Sequence, residues 1–357
     1  MLKVLDLFCG AGGLSKGFEM AGFELIGGVD FNQDAILTHE LNFPKSKSIC
    51  TDIKTIKNNE VFELFGKNVD VIIGGPPCQG FSGANKWQKE IDDPRNKLFF
   101  EYIRFVELLK PQAIVIENVK GILKKDNGYA KTKIISILSE LGYQMTSYIL
   151  NSNDFGVPQK RQRAVFIGIR SDIGSFDEKK LIKANNFVTV KEAIDELYIL
   201  ENIENTTSSF VLKQQPVTEY QKYLRSEDNT IYNHNISYPK QNVIDRMKFV
   251  PQGGNWKNVP EILWEKQRSN RHSSAYKRLN EEEPSITIDT GHMNYFHPIF
   301  NRVPTVRESA RIQSFPDNFI FCGAPTSQLR QVGNAVPPLM AKSIALAIRS
   351  AIENENC

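Results

Sequence analysis

The sequence predicts an α/β protein built on a doubly wound parallel sheet, with a smaller irregular second lobe. Three observations carry this. Through the first 170 residues, short β-type runs alternate with helical patterns. After Arg170 that rhythm breaks for about 130 residues. And the first strand hands over to a glycine-rich turn, "DLFCGAGGLSKGF", the junction at which open α/β sheets meet their ligands.

The runs follow in order: "KVLDLF", a helix from about Leu14, "FELIGGVD", a helix from about Asn32, a further strand before Asp52, then "VDVIIGG", "QAIVIE", "YQMTSYIL" and "RAVFIGIR". Such short apolar runs suit strands covered on both faces. Between "VDVIIGG" and "QAIVIE", Leu98, Tyr102, Phe105 and Leu109 form one helical stripe, opened at Pro94 and ended before Pro111. That stripe reads as core. The stretch after Arg170 is rich in Asn, Gln, Ser and Lys and has no clear repeat. Regular structure resumes at "VPTVRESARIQSFP" and ends in "VPPLMAKSIALAIRSAIE", a proline-opened helix with Leu339, Ile344, Ala347, Ile348 and Ile352 apolar. The expected divisions are 1–173 for the first lobe, 174–303 for the irregular lobe, and 304–357 for a segment returning to the first.

A chain of 357 residues can bury one large core plus a smaller lobe. No run approaches the roughly 18 apolar residues of a membrane span, and the N-terminus meets glycines too early for a secretory signal, so a soluble, intracellular protein is expected. Cysteines at 9, 50, 78, 322 and 357 form no CxxC pair, which argues against a disulfide framework and a thiolate metal site. A net charge of +3 does not by itself imply a nucleic-acid partner; its distribution is more telling. Residues 174–239 carry seven Lys/Arg against ten Asp/Glu, whereas 240–280 carry nine against three, interleaved with Trp256, Trp264, Tyr276 and His272. Taken alone, that stretch reads as a solvated face.

Glycines 10, 12 and 13 let backbone approach a ligand without Cβ in the way, but Ser15 stands where a third fingerprint glycine would be and no Walker lysine follows. Asp30 ends the second strand, at the separation where a carboxylate meets ribose hydroxyls. Phe31 adds a flat face for an adenine, and Asp52 an acceptor for an exocyclic amine. Together they point to a nucleoside-containing cofactor with no essential phosphate. Downstream, "GGPPCQGFS" holds Cys78 past a strand end, with two prolines before it and a glycine-rich stretch running to about Pro94 after it, a setting for a nucleophile enclosed once substrate binds. Glu117, at the end of "IVIENV", would stand beside it as an acid. Arg161 and Arg163 alternate ahead of the last strand and would share a face, suited to a carbonyl oxygen and a phosphate. Thiol, acid and arginines together suggest conjugate addition to a pyrimidine.

In order along the chain, "DLFCGAGGLSKGF", "GGPPCQGFS", "DDPRNKLFFEY", "ENVKG", "QKRQRAVFIG", "RESARIQSFPD" and "QVGNAVPP" resemble the motifs of the bacterial-type DNA (cytosine-5) methyltransferases. The resemblance implies an S-adenosylmethionine-dependent, Rossmann-like catalytic domain with no metal, duplex DNA as partner, and a target-recognition domain in the irregular lobe. It implies Cys78 as nucleophile, Glu117 as the partner of cytosine N3, and Arg161 with Arg163 near the flipped base and its phosphate. It implies a donor pocket of Phe8, Gly10, Gly12, Gly13, Leu14, Asp30, Phe31, Asp52, Ile53, Pro76, Leu98, Asn334 and Val336; the family often has glutamate where Asp30 stands. "SITIDTG" resembles the family's short Thr-containing segment, which places Thr287 at DNA. With the resemblance, the basic stretch becomes a DNA-facing surface including Arg268, Arg271, Lys277 and Arg278, and Ser82 and Gln88 become candidates to contact the flipped nucleotide or fill its gap. A restriction-modification setting, with an endonuclease acting separately, a cytoplasmic location and action as a monomer on DNA complete the expectation. The alternatives are a tRNA substrate, although the Cys-Phe-Thr signature of that branch is not found, and a DNA-binding protein without turnover.

Overall fold

The structure is a computed structural model and describes residues 1–77, 97–201, 209–264, 275–290 and 295–353. The chain forms two compact units. The first comprises 1–155, 162–184 and the chain from Val336 on; the second comprises 156–161 and 185–335.

The first unit follows the predicted alternation: β1 (Lys3–Leu7), α1 (Gly13–Met20), β2 (Glu24–Asp30), α2 (Gln33–Asn42), β3 (Lys47–Cys50), α3 (Asn58–Phe65), β4 (Val71–Gly74), α4 (Lys97–Leu109), β5 (Ala113–Val119), α5 (Tyr129–Glu140), β6 (Tyr143–Asn151) and β7 (Gln162–Arg170). The seven strands lie in the order β3-β2-β1-β4-β5-β7-β6. From β1 the chain winds outward through β2 to β3, then returns to lay β4 on the other side of β1, so the switch point falls between β1 and β4. The sheet is parallel except for β7, which runs antiparallel to both β5 and β6. That corrects the expectation of an unbroken parallel rhythm. Only residues 152–161 separate β6 from β7, too few for a parallel crossover.

The core beneath β1, β4 and β5 includes Leu5, Leu7, Ile72, Ile114 and Ile116, covered by α4 and α5. Tyr102, Phe105 and Leu109 of the predicted stripe are buried, and Leu98 packs at its edge. The Tyr102 hydroxyl donates to the carbonyls of Ile72 and Val115, so its polar end is satisfied inside apolar surroundings. Gly74 closes β4 against β1: a Cβ there would stand 2.1 Å from the Leu7 carbonyl oxygen. The start expected for α4 at Pro94 lies outside the described residues.

Among its described residues the second unit has little regular structure: α6 (Val190–Ile194), β8 (Ser209–Val211), α7 (Glu219–Leu224), β9 (Thr230–Tyr232), α8 (Gln241–Met247), β10 (Lys277–Arg278), β11 (Tyr295–Phe296), α9 (Val306–Ile312) and α10 (Pro325–Asn334). Its sheets are the pairs β8-β9 and β10-β11. Buried ion pairs organise it. Arg311 forks onto Asp317 at 2.8 and 2.6 Å and also pairs with Glu196, which in turn takes Arg225 at 2.6 Å. Arg302 forks onto Glu308 at 2.8 Å twice and reaches Glu201 at 2.7 Å.

These pairs explain why the boundaries differ from those expected. Residues 304–335 were assigned to a returning segment, but α9 is tied by its arginine to residues 193–196, and the chain rejoins the first unit only at Val336. There α11 (Pro338–Glu353) packs on α1, burying Ile344, Ala347, Ile348 and Ile352. The stretch Pro325–Glu353, which comprises α10 and α11, holds an 18-residue window apolar enough to cross a membrane by composition, and 61% of that window is buried within the protein. Replacing Arg311 with methionine takes the cation from the buried Asp317 carboxylate, while Glu196 keeps Arg225, and is expected to lower stability by about 3–5 kcal/mol. Urea denaturation checks this, and a loss below about 1 kcal/mol would contradict it.

Candidate active site

The ends of β1, β2 and β3 build one side of the candidate site. At the β1 end the backbone turns through left-handed conformations at Phe8 (φ 63°), Gly10 (φ 52°) and Gly12 (φ 94°). Gly12 could carry no side chain, since a Cβ would lie 2.5 Å from the Phe43 ring. Asp30 ties this turn to β2: one carboxylate oxygen accepts from Gly10 N and the other from Asn32 N, both at 2.9 Å. Burial raises the Asp30 pKa despite those bonds. Phe31, next along, is 75% exposed, an unusual position for a phenylalanine and one that offers a ring face to a ligand. Thr51 N donates to the Asp30 carbonyl, which sets the β3 end beside it. Asp52 follows, accepting from Lys54 N at 3.1 Å and pairing with Lys54 Nζ at 2.9 Å; the hydrogen bonds from Lys54 lower its pKa. Ile53 is buried beneath it.

The residues present fit a nucleoside-type ligand: backbone free of side chains, a carboxylate beside it, an exposed ring and a second acid, all past the carboxyl ends of adjacent strands. Gly13 and Leu14 open α1, Pro76 is buried just after β4, and Leu98 and Phe8 pack at the edge of the same core. Val336, also in this unit, is buried ahead of α11. Asn334 belongs to the second unit.

The other side of the switch point carries a second cluster. Glu117, on β5, pairs with Arg163 Nε on β7 at 2.8 Å, both side chains about 15% exposed. Because β7 is antiparallel, its first residues stand at the end of the sheet where β5 finishes; Val119 lies opposite Arg163. Burial lowers the Arg163 pKa, and Glu117 opposes that shift. The other Glu117 oxygen, Oε2, faces Gly75, where a Cβ would lie 3.3 Å away. Asn118, which the sequence did not single out, donates from Nδ2 to the Pro76 carbonyl at 3.0 Å and so fixes the backbone two residues before Cys78. Its signal was its place beside Glu117 in "ENV".

Residues 2–350 match the C-5 cytosine-specific DNA methylase family. The chain belongs to that family. It is 37% identical to the Type II methyltransferase M.DdeI of Desulfomicrobium norvegicum, over 99% of this chain and 90% of that protein. It is 37% identical to the Type II methyltransferase M1.HphI of Haemophilus parahaemolyticus, over 99% and 88%. A prophage-encoded DNA modification methyltransferase from E. coli superposes with a TM-score of 0.80 at 28% identity, covering 99% of this chain and all of the other. The Dnmt2 methyltransferase of S. pombe, 19% identical with a TM-score of 0.61 over both whole chains, shares the fold.

In this DNA methylase four residues expected at the substrate or at DNA make hydrogen bonds within the protein. Arg161 is 1% exposed, belongs to the second unit, and gives its guanidinium to main-chain carbonyls: Ile288 at 3.0 Å, Gly333 at 2.7 Å and Asn334 at 3.4 Å. It clamps two segments of its own unit, unlike the substrate-facing fork expected from its alternation with Arg163. Arg278 was expected at DNA, yet it is 5% exposed, and it donates to the carbonyls of Val250, Met247 and His297 and to Asn301 Oδ1. Lys277 donates to the Gly253 carbonyl, and Thr287 Oγ1 donates to the Lys160 carbonyl at 3.0 Å. Five donors on a planar fork suit carbonyls as well as phosphates, and tertiary context decides between them. Cys78, Ser82, Gln88, Arg268 and Arg271 lie outside the described residues.

Proposed function

We propose that this methylase transfers a methyl group from S-adenosylmethionine to C5 of a cytosine within a short duplex DNA site, through a covalent bond between Cys78 and C6. The observation that carries the reading is the Glu117–Arg163 pair beside the β4 exit that leads to Cys78, next to the glycine turn that Asp30 holds. Bound S-adenosylmethionine would supply an electrophilic methyl group on a sulfonium, with the neutral thioether S-adenosylhomocysteine as the leaving group. The chain supplies the rest. The Cys78 thiolate adds to C6 and the C5–C6 electron pair moves toward N3, where Glu117 supports the added proton. C5, now electron-rich, takes the methyl; loss of the C5 proton and elimination of the thiolate restore the aromatic ring. Arg163 holds Glu117 in place, and Asn118 holds the backbone that leads to the thiol.

A stacked base cannot be attacked at C6, so the cytosine rotates out of the helix, at about a few kcal/mol. The second unit is proposed to read the target sequence. With Arg278 used internally, exposed Lys240 and Lys257 become the better candidates for phosphate contacts in the basic stretch. The Type II names of the relatives favour a restriction-modification setting; a companion endonuclease acting separately, a cytoplasmic location and action as a monomer on DNA are proposed with it.

Bisulfite sequencing of DNA from cells that express the protein is expected to show one short sequence context fully protected at cytosine; no protected context would overturn the assignment. Binding to that duplex is expected to weaken steeply between about 50 and 200 mM salt. Methylation of tRNA in preference to duplex DNA in direct competition would replace the DNA reading.

A further inference from the structure

Beneath the glycine turn lies a chain of buried polar side chains that the methyl-transfer chemistry does not use. Asp6 on β1 is 1% exposed; Ser15 in the first turn of α1 and His39 on α2 are fully buried. The Ser15 hydroxyl donates to Asp6 Oδ2 at 2.6 Å and lies 3.2 Å from His39 Nε2, while His39 Nδ1 lies 2.7 Å from the Ser48 hydroxyl on β3. The imidazole packs on Phe43, with centroids 4.7 Å apart, and fills the space below the turn. A Cβ on Gly12 would lie 3.1 Å from its Cδ2, and one on Gly28 would lie 2.6 Å from its Cε1. One ring therefore touches the turn and β2 directly, and α1 and β3 through hydrogen bonds.

Stability alone does not call for this chain, because apolar groups of the same shape in place of both partners of a buried hydrogen bond are close to neutral. What apolar filling lacks is direction. Burial holds the imidazole neutral, pushing its pKa down to about 4, and pushes Asp6 up to about 7. A neutral ring accepts at one nitrogen and donates at the other, as a link between two hydroxyls requires. Ser48 O–H can donate to Nδ1, Nε2–H to Ser15, and Ser15 O–H to Asp6. Above this chain, the turn holds non-glycine Phe8 in a left-handed conformation that side-chain-bearing residues disfavour, and it needs anchors. Asp30 anchors its middle, and Ser15 anchors its exit.

We propose that His39 is a positioning residue for the methyl-donor site, keeping the β1–α1 turn in its donor-binding shape through Ser15. This rests on the S-adenosylmethionine reading above. The test is the His39→Phe, Ser48→Ala double variant, which leaves the Ser15–Asp6 bond intact and strands no buried partner. Its dissociation constant for labelled S-adenosylmethionine, and its KM for the same donor, are expected to rise about tenfold, with kcat at saturating donor within about twofold of wild type and the urea midpoint little changed. His39→Gln, which keeps a donor and an acceptor, is expected to recover most of the affinity. Unchanged donor affinity in the double variant, or a loss matched by an equal loss of stability, would overturn the inference alone. Failure of the wild-type protein to bind S-adenosylmethionine would overturn the donor reading as well.

Discussion

Cys78→Ser protein is expected to lose methyl transfer by roughly three orders of magnitude or more, while still binding donor and duplex DNA. A hydroxyl is far less acidic than a thiol, whose pKa of about 8.5 already leaves some thiolate at neutral pH, and nothing else in the proposed cycle activates C5. Incorporation of isotope from labelled donor into target-site DNA measures the loss. Turnover within tenfold of wild type would remove the covalent step from the mechanism and leave the fold and family untouched.

Glu117→Gln carries the second largest expected effect. It keeps the shape of the side chain and its place beside Arg163 but cannot take part in proton transfer at N3, so kcat is expected to fall by about 10²–10⁴-fold. Donor affinity should hardly change, since Glu117 lies on the β5 side of the switch point and the donor residues on the β1–β3 side. Arg163→Met separates the pair differently. It leaves a largely buried carboxylate without its cation and should lower stability by about 3 kcal/mol in addition to slowing turnover. Single-turnover rates and urea denaturation on both variants distinguish chemistry from folding. A Glu117→Gln enzyme with wild-type kcat would mean that the pair only holds β5 to β7.

The first unit was largely readable because its strands are buried on both faces and its helices on one, and each imposes a period on the sequence. The glycine turn, Asp30, Phe31 and Asp52 were readable for a related reason: in a doubly wound sheet, residues just past strand ends converge whatever the intervening helices contain. The direction of β7 was missed, because strand periodicity says nothing about direction; the ten residues 152–161 that separate it from β6 are too few for a parallel crossover. Arg161 and Arg278 were not legible in the same way. Each looks like a surface cation among polar neighbours, and each is buried by carbonyls contributed from distant segments, Gly333 for Arg161 and His297 for Arg278. The second unit as a whole resists periodic reading because buried ion pairs such as Arg311–Asp317 and Arg302–Glu308 do much of the organising that apolar stripes do elsewhere. The chain Asp6–Ser15–His39–Ser48 joins four elements and has no pattern in any one of them.

The most direct measurement is to offer the enzyme, with S-adenosylmethionine, a random-sequence duplex pool in which cytosine is replaced by its 5-fluoro analogue. Fluorine cannot leave C5 as a cation, so after methylation the bond to sulfur has no route to elimination. The account predicts a denaturant-stable protein–DNA adduct whose proteolytic fragment carries a methylated fluoropyrimidine on residue 78. Methylation of the unsubstituted pool with no adduct from the substituted one, or an adduct on any other residue, would contradict it.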